Sequence, residues 1–251
     1  MKFIKLPLSI IQNILAQSIL LTSVIMVSLL GYISSYLVHR DKTIWLMYNW
    51  FNTTRKIMYF ILGVKIEYRG VENIPQNEVF IFASKHQSSI ETSFFFNKFA
   101  LKTVYAFKKE LHNVPTWKRL SRQFGGIIID RQKGKYIMDY FAQQAKEYLD
   151  AGYCLAIFPE GTRVPVGKYV RFKYGIAKIY AQNNKKVVPV ALNTGLIISK
   201  RSWFIYSGKI IIEFLPPINP GMSEEEFLPH LEKIINTKSD ELVAEARGLK
   251  N

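Results

Sequence analysis

Cysteine is almost missing: Cys154 stands alone in 251 residues, which excludes an intramolecular disulfide and a cysteine-based zinc site and fits a reducing compartment. Acidic residues are also scarce. The chain carries 19 Asp and Glu against 34 Lys and Arg, a formal net charge of +15, and no acidic residue precedes Asp41. Between Leu6 and Val38 there is no charge of either sign. No G-x-S-x-G elbow occurs, so the usual strand-turn-helix serine nucleophile is lacking. No strand interleaves stacking aromatics with Lys and Arg in the manner of a single-stranded RNA reader. No internal repeat and no low-complexity linker divides the chain. A basic protein seeks phosphate, and with 49% apolar residues that excess points to anionic lipid head groups and not to nucleic acid.

The uncharged stretch defines the first segment. Ile14 to Val38 holds Leu20-Leu21, Val24-Ile25-Met26-Val27 and Leu29-Leu30, with Lys2 and Lys5 before it and His39-Arg40 after. About 20 apolar residues cross a bilayer's hydrocarbon core, and a secretory signal has a shorter apolar region with a small-residue cleavage site. The stretch therefore reads as a transmembrane or membrane-embedded helix. Lys42 to Leu62 follows with a polar stripe of Asn49, Asn52, Thr53 and Lys56 at helical spacing. Trp45 and Trp50 suit head-group depth, and Arg55 and Lys56 can meet phosphates, so this second helix reads as interfacial. Residues 1–62 are thus expected to form a membrane anchor and residues 63–251 a single further domain.

Beyond Gly63, short apolar runs alternate with helical patterns. Val64, Ile66 and Tyr68 alternate with Lys65, Glu67 and Arg69 as in a half-buried strand. Phe94-Phe95-Phe96 continues a helix after the run Val79 to Ala83. Strands are expected at Thr103 to Phe107, Ile127 to Ile129, Tyr153 to Phe158 and Val187 to Leu192, with an edge-like strand at Lys209 to Phe214. Helices are expected at Val114 to Phe124, Lys135 to Leu149, Ile176 to Ala181 and Glu224 to Ala246. Alternation of this kind gives an α/β fold with a mixed, mostly parallel sheet flanked by helices, behind the N-terminal two-helix segment. Cys154, inside an apolar strand, reads as core and not as a nucleophile.

Chemistry concentrates in Ser84-Lys85-His86-Gln87-Ser88-Ser89-Ile90-Glu91-Thr92, where an imidazole and a carboxylate stand five positions apart. On a continuous helix that separation would put them about 140° apart. A strand-to-helix turn with the helix beginning near Ser88 lets Glu91, in the first helical turn, fold back onto His86. A carboxylate accepting the Nδ1 proton fixes the tautomer that leaves Nε2 available as a general base. Phe158-Pro159-Glu160-Gly161-Thr162-Arg163 follows a buried strand, where open α/β sheets bind ligands. Glycine admits a close backbone approach, threonine offers a hydroxyl, and arginine can grip phosphate with two hydrogen bonds. Asp130-Arg131 closes Gly125-Gly126-Ile127-Ile128-Ile129, and Arg131 can project into the same cleft. Lys85, Arg171 and Lys173 can add to its positive field, and Pro189 in Val187-Val188-Pro189-Val190 suggests an edge strand or a bulge beside it.

These four blocks, in this order from His86 to Val190, resemble those of the glycerolipid acyltransferases typified by 1-acylglycerol-3-phosphate acyltransferase: H-x4-D, a G-x-I-x-I-D-R-like block, F-P-E-G-T-R and a proline-bearing strand. One position departs, Glu91 where the family pattern usually has aspartate. The resemblance implies transfer of a fatty acyl group from a thioester of acyl-carrier protein or coenzyme A to the sn-2 hydroxyl of lysophosphatidate, giving phosphatidate. It implies His86 and Glu91 as the catalytic pair, and Arg131, Glu160, Gly161, Thr162 and Arg163 as substrate-binding, with Arg131 and the Gly161 region on the glycerol phosphate. No metal, no cofactor and no nucleic-acid partner are expected. Membrane lipids are expected partners, with the catalytic domain on the cytoplasmic side, of the inner membrane if bacterial. The alternatives are another acceptor (glycerol 3-phosphate, a lyso-ornithine lipid or another lysophospholipid) or a non-catalytic basic membrane-surface protein.

Overall fold

A computed structural model describes residues 10–92, 103–113, 115–129, 136–200, 202 and 204–248 of the chain. Seven strands, β1 (Val64–Arg69), β2 (Ile81–Ser84), β3 (Thr103–Lys108), β4 (Gly126–Ile129), β5 (Cys154–Ile157), β6 (Val187–Leu192) and β7 (Gly208–Phe214), form one sheet in the order β1-β7-β6-β2-β5-β3-β4. Every adjacent pair is parallel except β6 and β7. The helices among the described residues are α1 (Ile10–Leu37), α2 (Arg40–Leu62), α3 (Pro115–Phe124), α4 (Tyr136–Asp150), α5 (Gly175–Asn183) and α6 (Glu224–Ala246). The Phe94-Phe95-Phe96 helix expected from the sequence lies outside the described residues.

Two faces of apolar side chains make the sheet the middle of three layers. Phe82, Ala156 and Val188 point to one face, in an apolar cluster that also takes in Tyr59 and Leu62 of α2 and Ala16 of α1. Ile81, Ala83, Leu155, Ile157 and Val187 point to the other, under Phe141 and Ala145 of α4, Ile176 of α5 and Phe227 and Leu231 of α6. Strands covered on both faces need apolar runs and not alternation, which is what β2 and β6 have. The same rule corrects one expectation. β7 is an interior strand between β1 and β6, and Ile210, Ile211 and Ile212 are all buried. The edge on that side is β1, whose alternating Lys65, Glu67 and Arg69 suit it.

Pro189 is likewise not on an edge strand, because β6 has neighbours on both sides. Its missing N–H falls where the β6–β7 ladder breaks. Val190 pairs with Phe214 and Val187 with Ile218, so residues 188–189 face residues 215–217, with one extra residue on the second strand. The bulge expected near Pro189 is therefore present, carried by the neighbouring segment Leu215-Pro216-Pro217.

α1 and α2 form a hairpin closed by the short connection at Val38 and His39. α1 turns its small and polar residues inward: Asn13, Ala16, Ser23, Gly31 and Ser35 are buried, while Ile11, Leu21 and Leu37 are exposed. Hydrogen bonds fasten both of its ends to the rest of the chain. Asn13 Oδ1 accepts from the Ile205 N–H at 2.7 Å, and Ser35 accepts from Arg119 of α3 at its hydroxyl (2.5 Å) and its carbonyl (2.9 Å). The Arg119 guanidinium also stacks 3.5 Å over the Tyr36 ring. At 1.5 Å per residue these ends are about 33 Å apart, so α1 lies along the body of the protein.

Candidate active site

β2, β5 and β6 are adjacent and mutually parallel, with Ala83 paired to Ile157 and Ser84 to Val190. Their carboxyl ends therefore open on one edge of the sheet. Three turns meet there: residues 85–90 after β2, residues 158–164 after β5 and residues 193–196 after β6. Chain order alone gives no hint that the last of these joins the other two.

His86 lies two residues past β2, and helical backbone first appears at Glu91, three residues later than the pattern suggests. The five-residue separation is thus spanned by a turn, and Glu91 Oε2 sits 2.5 Å from His86 Nδ1. The Glu91 side chain is fully buried while that of His86 keeps 18% exposure, so the ring alone reaches the open edge. Oε1 of Glu91 accepts from the backbone N–H groups of Gln87 (2.8 Å) and Ser88 (2.7 Å) and from the Thr194 hydroxyl. The His86 ring stacks on Phe158, centroids 4.1 Å apart at 22°. Nδ1 held by a carboxylate leaves Nε2 to exchange a proton with a ligand.

Lys85 does not contribute to an open positive field. It is buried, its ammonium donating to Glu160 Oε1 at 2.5 Å and to Asn236 Oδ1 of α6 at 2.7 Å. A lysine in the interior needs such a partner, and the carboxylate that supplies it is the glutamate of the hexapeptide. Glu160 Oε2 accepts from the His86 N–H at 2.7 Å, so both oxygens are engaged within the protein. The expectation that Glu160 contacts substrate is revised accordingly: it pins the base-bearing turn to the hexapeptide turn. Burial pushes its carboxyl above the ordinary carboxylate range, with Lys85 and the His86 N–H pulling the other way. A second stitch, from the Val164 N–H to the His86 carbonyl at 2.7 Å, holds the same two turns together.

The last three residues of the hexapeptide lie nearer the surface than Pro159, which is buried. Gly161 sits at φ +66°, a left-handed conformation that favours glycine, and its N–H closes a turn on the Phe158 carbonyl at 2.9 Å. Thr162 is exposed and Arg163 half-buried. Lys200 donates to the Thr162 hydroxyl at 3.3 Å and to the Arg163 carbonyl at 2.8 Å. Arg171 and Lys173 are exposed on the same loop, whereas Asp130 and Arg131 lie outside the described residues. Among the described residues no three His, Cys, Asp or Glu side chains converge as a metal site would require. Cys154 opens β5, partly buried against the core. Sequence reasoning does not single out Thr194, Asn236 or Lys200. They carry no motif of their own, and only the Val187–Val190 block, which leads into Thr194, brings one of them near a recognisable pattern.

The sequence model of the Acyltransferase family matches residues 65–193, from β1 to the turn after β6. The 1-acyl-sn-glycerol-3-phosphate acyltransferase of Pseudomonas aeruginosa is 32% identical over 214 residues, 85% of this chain and 81% of that protein. That of Limnanthes alba is 28% identical over 65% of this chain and 58% of its own length, and the mouse alpha enzyme 24% over 64% and 57%. The chain thus spans a little over half the length of these plant and mammalian relatives. Among solved structures, the 1-acyl-sn-glycerophosphate acyltransferase of Thermotoga maritima superposes with a TM-score of 0.73 at 25% identity, covering 93% of this chain and 98% of that one.

Proposed function

The chain belongs to the acyltransferase family of the 1-acyl-sn-glycerol-3-phosphate acyltransferases, and from that premise we propose that it transfers a fatty acyl group from a thioester to the sn-2 hydroxyl of 1-acylglycerol 3-phosphate, forming phosphatidate. The observation that carries this reading is the His86 Nδ1 to Glu91 Oε2 contact of 2.5 Å at the carboxyl edge of β2. Nε2 of His86 takes the hydroxyl proton as the oxygen attacks the thioester carbonyl carbon. The tetrahedral intermediate collapses with cleavage of the C–S bond, and the imidazolium returns the proton to the departing thiolate. Glu91 orients the ring and balances its positive charge. Acyl-carrier protein and coenzyme A both present the thioester this scheme uses.

Arg131, Gly161, Thr162 and Arg163 hold the acceptor's phosphate. Support comes from the exposed position of Thr162, the half-buried one of Arg163 and the neighbouring Lys200. Glu160 acts through its salt bridge, as a positioning residue. The segment of residues 1–62, whose described part is the hairpin of α1 and α2, anchors residues 63–251 to the membrane. One described helix, α1, is long and apolar enough to cross a bilayer, but its attachment at Asn13 and Ser35 supports an embedded hairpin whose outer apolar face lies in lipid. Trp45 and Trp50, both exposed, suit the head-group boundary of such a hairpin. The catalytic edge faces the cytoplasm, the reducing side that a lone cysteine fits.

Purified protein in detergent, assayed against a panel of lysolipids with each thioester donor, tests the reading. Lysophosphatidate is expected to be the preferred acceptor. His86→Ala is expected to lower turnover about a hundredfold or more, the order attached to a lost general base, with membrane association retained. Near-normal turnover in that variant would sink the mechanism.

A further inference from the structure

We propose that Thr194 is a positioning residue for the reaction, its hydroxyl holding Glu91 in the orientation that serves His86; the inference rests on the reading of that pair as base and orienter. Thr194 is fully buried, 103 residues away from Glu91 in sequence, and donates its hydroxyl to Glu91 Oε1. Among the described residues Oε1 then has three donors, Gln87 N, Ser88 N and Thr194 Oγ1, leaving Oε2 for the ring. Three donors on one oxygen match an ionised, acceptor-only carboxylate. Two of them come from the turn that carries His86 itself. Of the three, only Thr194 ties the carboxylate to a different part of the sheet.

The turn that carries Thr194 is built to hold still. Asn193, also fully buried, accepts from the Ile211 N–H of β7 at 2.8 Å and donates to the Lys209 carbonyl at 3.2 Å. The Thr194 carbonyl accepts from the N–H groups of Ile197 and Ile198, each at 3.0 Å. The next residue, Gly195, gives its N–H to Gln87 Oε1 at 3.0 Å. A Cβ at that position would lie 3.1 Å from Gln87 Cβ and 2.9 Å from Val166 Cγ2, so a side chain there would push the base-bearing turn away. Asn193-Thr194-Gly195 thus grips both the orienting carboxylate and the turn that bears the base. A glutamate has one more torsion than an aspartate, and the Thr194 hydroxyl removes that freedom. It also gives the longer side chain a physical reason to be tolerated at position 91.

The test compares Thr194→Val, which keeps the shape and removes the donor, with Thr194→Ser, which keeps the donor. Thr194→Val is expected to lower kcat about tenfold or more while KM for lysophosphatidate stays within about twofold, as loss of alignment without loss of binding requires. Thr194→Ser is expected to stay within about threefold of the parent in kcat. The low-field proton resonance of His86 Nδ1–H, identified by its loss in His86→Ala, is expected to move in Thr194→Val and not in Thr194→Ser. Parent-like kcat with an unmoved resonance in Thr194→Val would overturn the proposal. Should the valine variant fail to fold, Thr194→Ala made with and without Glu91→Asp decides the matter. The shorter carboxylate is out of the hydroxyl's reach, so the two losses fall short of multiplying; losses that multiply overturn the proposal. An active His86→Ala would remove the base itself, whereas an inactive His86→Ala beside an unimpaired Thr194→Val would remove only the role of Thr194.

Discussion

Glu91 is one methylene longer than the aspartate usual in the family block, and its surroundings are fitted to that length. Its carboxylate passes the turn of residues 85–90 and meets partners from three directions: the turn's own N–H groups, the imidazole and Thr194. Glu91→Asp is therefore expected to lower kcat even though it restores the commoner residue, because the shorter side chain cannot keep both Oε1 and Oε2 contacts. A shift of about 1 Å in a catalytic group can cost about a hundredfold. Glu91→Gln is expected to cost more, since it removes the counter-charge of the imidazolium and brings an amide NH₂ into a site offering mainly donors. Steady-state kinetics of the two variants check the order. An aspartate variant as active as the parent would show that the length of the side chain is immaterial.

At the scale of elements, α1 inverts the usual arrangement of a surface helix. Its inner face is small and polar and packs closely, with Gly31 set against Met47 of α2, while its outer face is aliphatic. Water gives such a helix no reason to stay apolar outside, and a patch of this extent marks a surface that meets lipid or protein. Cutting the chain before Val64 would be a poor test, because Ala16, Tyr59 and Leu62 belong to the apolar cluster on one face of the sheet and their removal would strip the core. Leu21→Glu with Ile25→Glu, at positions 64% and 57% exposed, leaves the inner face alone. The double variant is expected to lose most of its co-sedimentation with lipid vesicles while its thermal midpoint in detergent changes little. Unchanged sedimentation would mean that the outer face does not meet lipid.

Across the whole molecule, one buried ion pair ties together the turns that bear His86 and the hexapeptide. Lys85 and Glu160, with side chains 4% and 0% exposed, join the turns after β2 and β5, and Asn236 brings in α6 near the other end of the chain. Breaking such a pair by neutralising one partner typically costs about 3–5 kcal/mol, because it strands a buried charge. Lys85→Met is expected to show a loss of that order in chemical denaturation. The double change Lys85→Met with Glu160→Gln is expected to recover part of it, since no charge is left unpaired and the amide oxygen introduced by Glu160→Gln can still accept from the His86 N–H. A double variant as unstable as the two single losses summed would contradict this account. What the sequence settled by itself was whatever is encoded locally: the helix and strand periods, the apolar N-terminus, and the pairing of His86 with Glu91, whose partners lie within one turn. Strand order is not local. Ile210-Ile211-Ile212 announces a strand covered on both faces, but only the burial of β7 between β1 and β6 removed it from the edge, and only the parallel alignment of β2, β5 and β6 brought Glu160 and Thr194 to the same rim. The hexapeptide could be recognised before folding, yet not that its glutamate turns inward to Lys85; that direction is decided by the cost of burying an ammonium unpaired, a cost that exists only once the chain has packed around it.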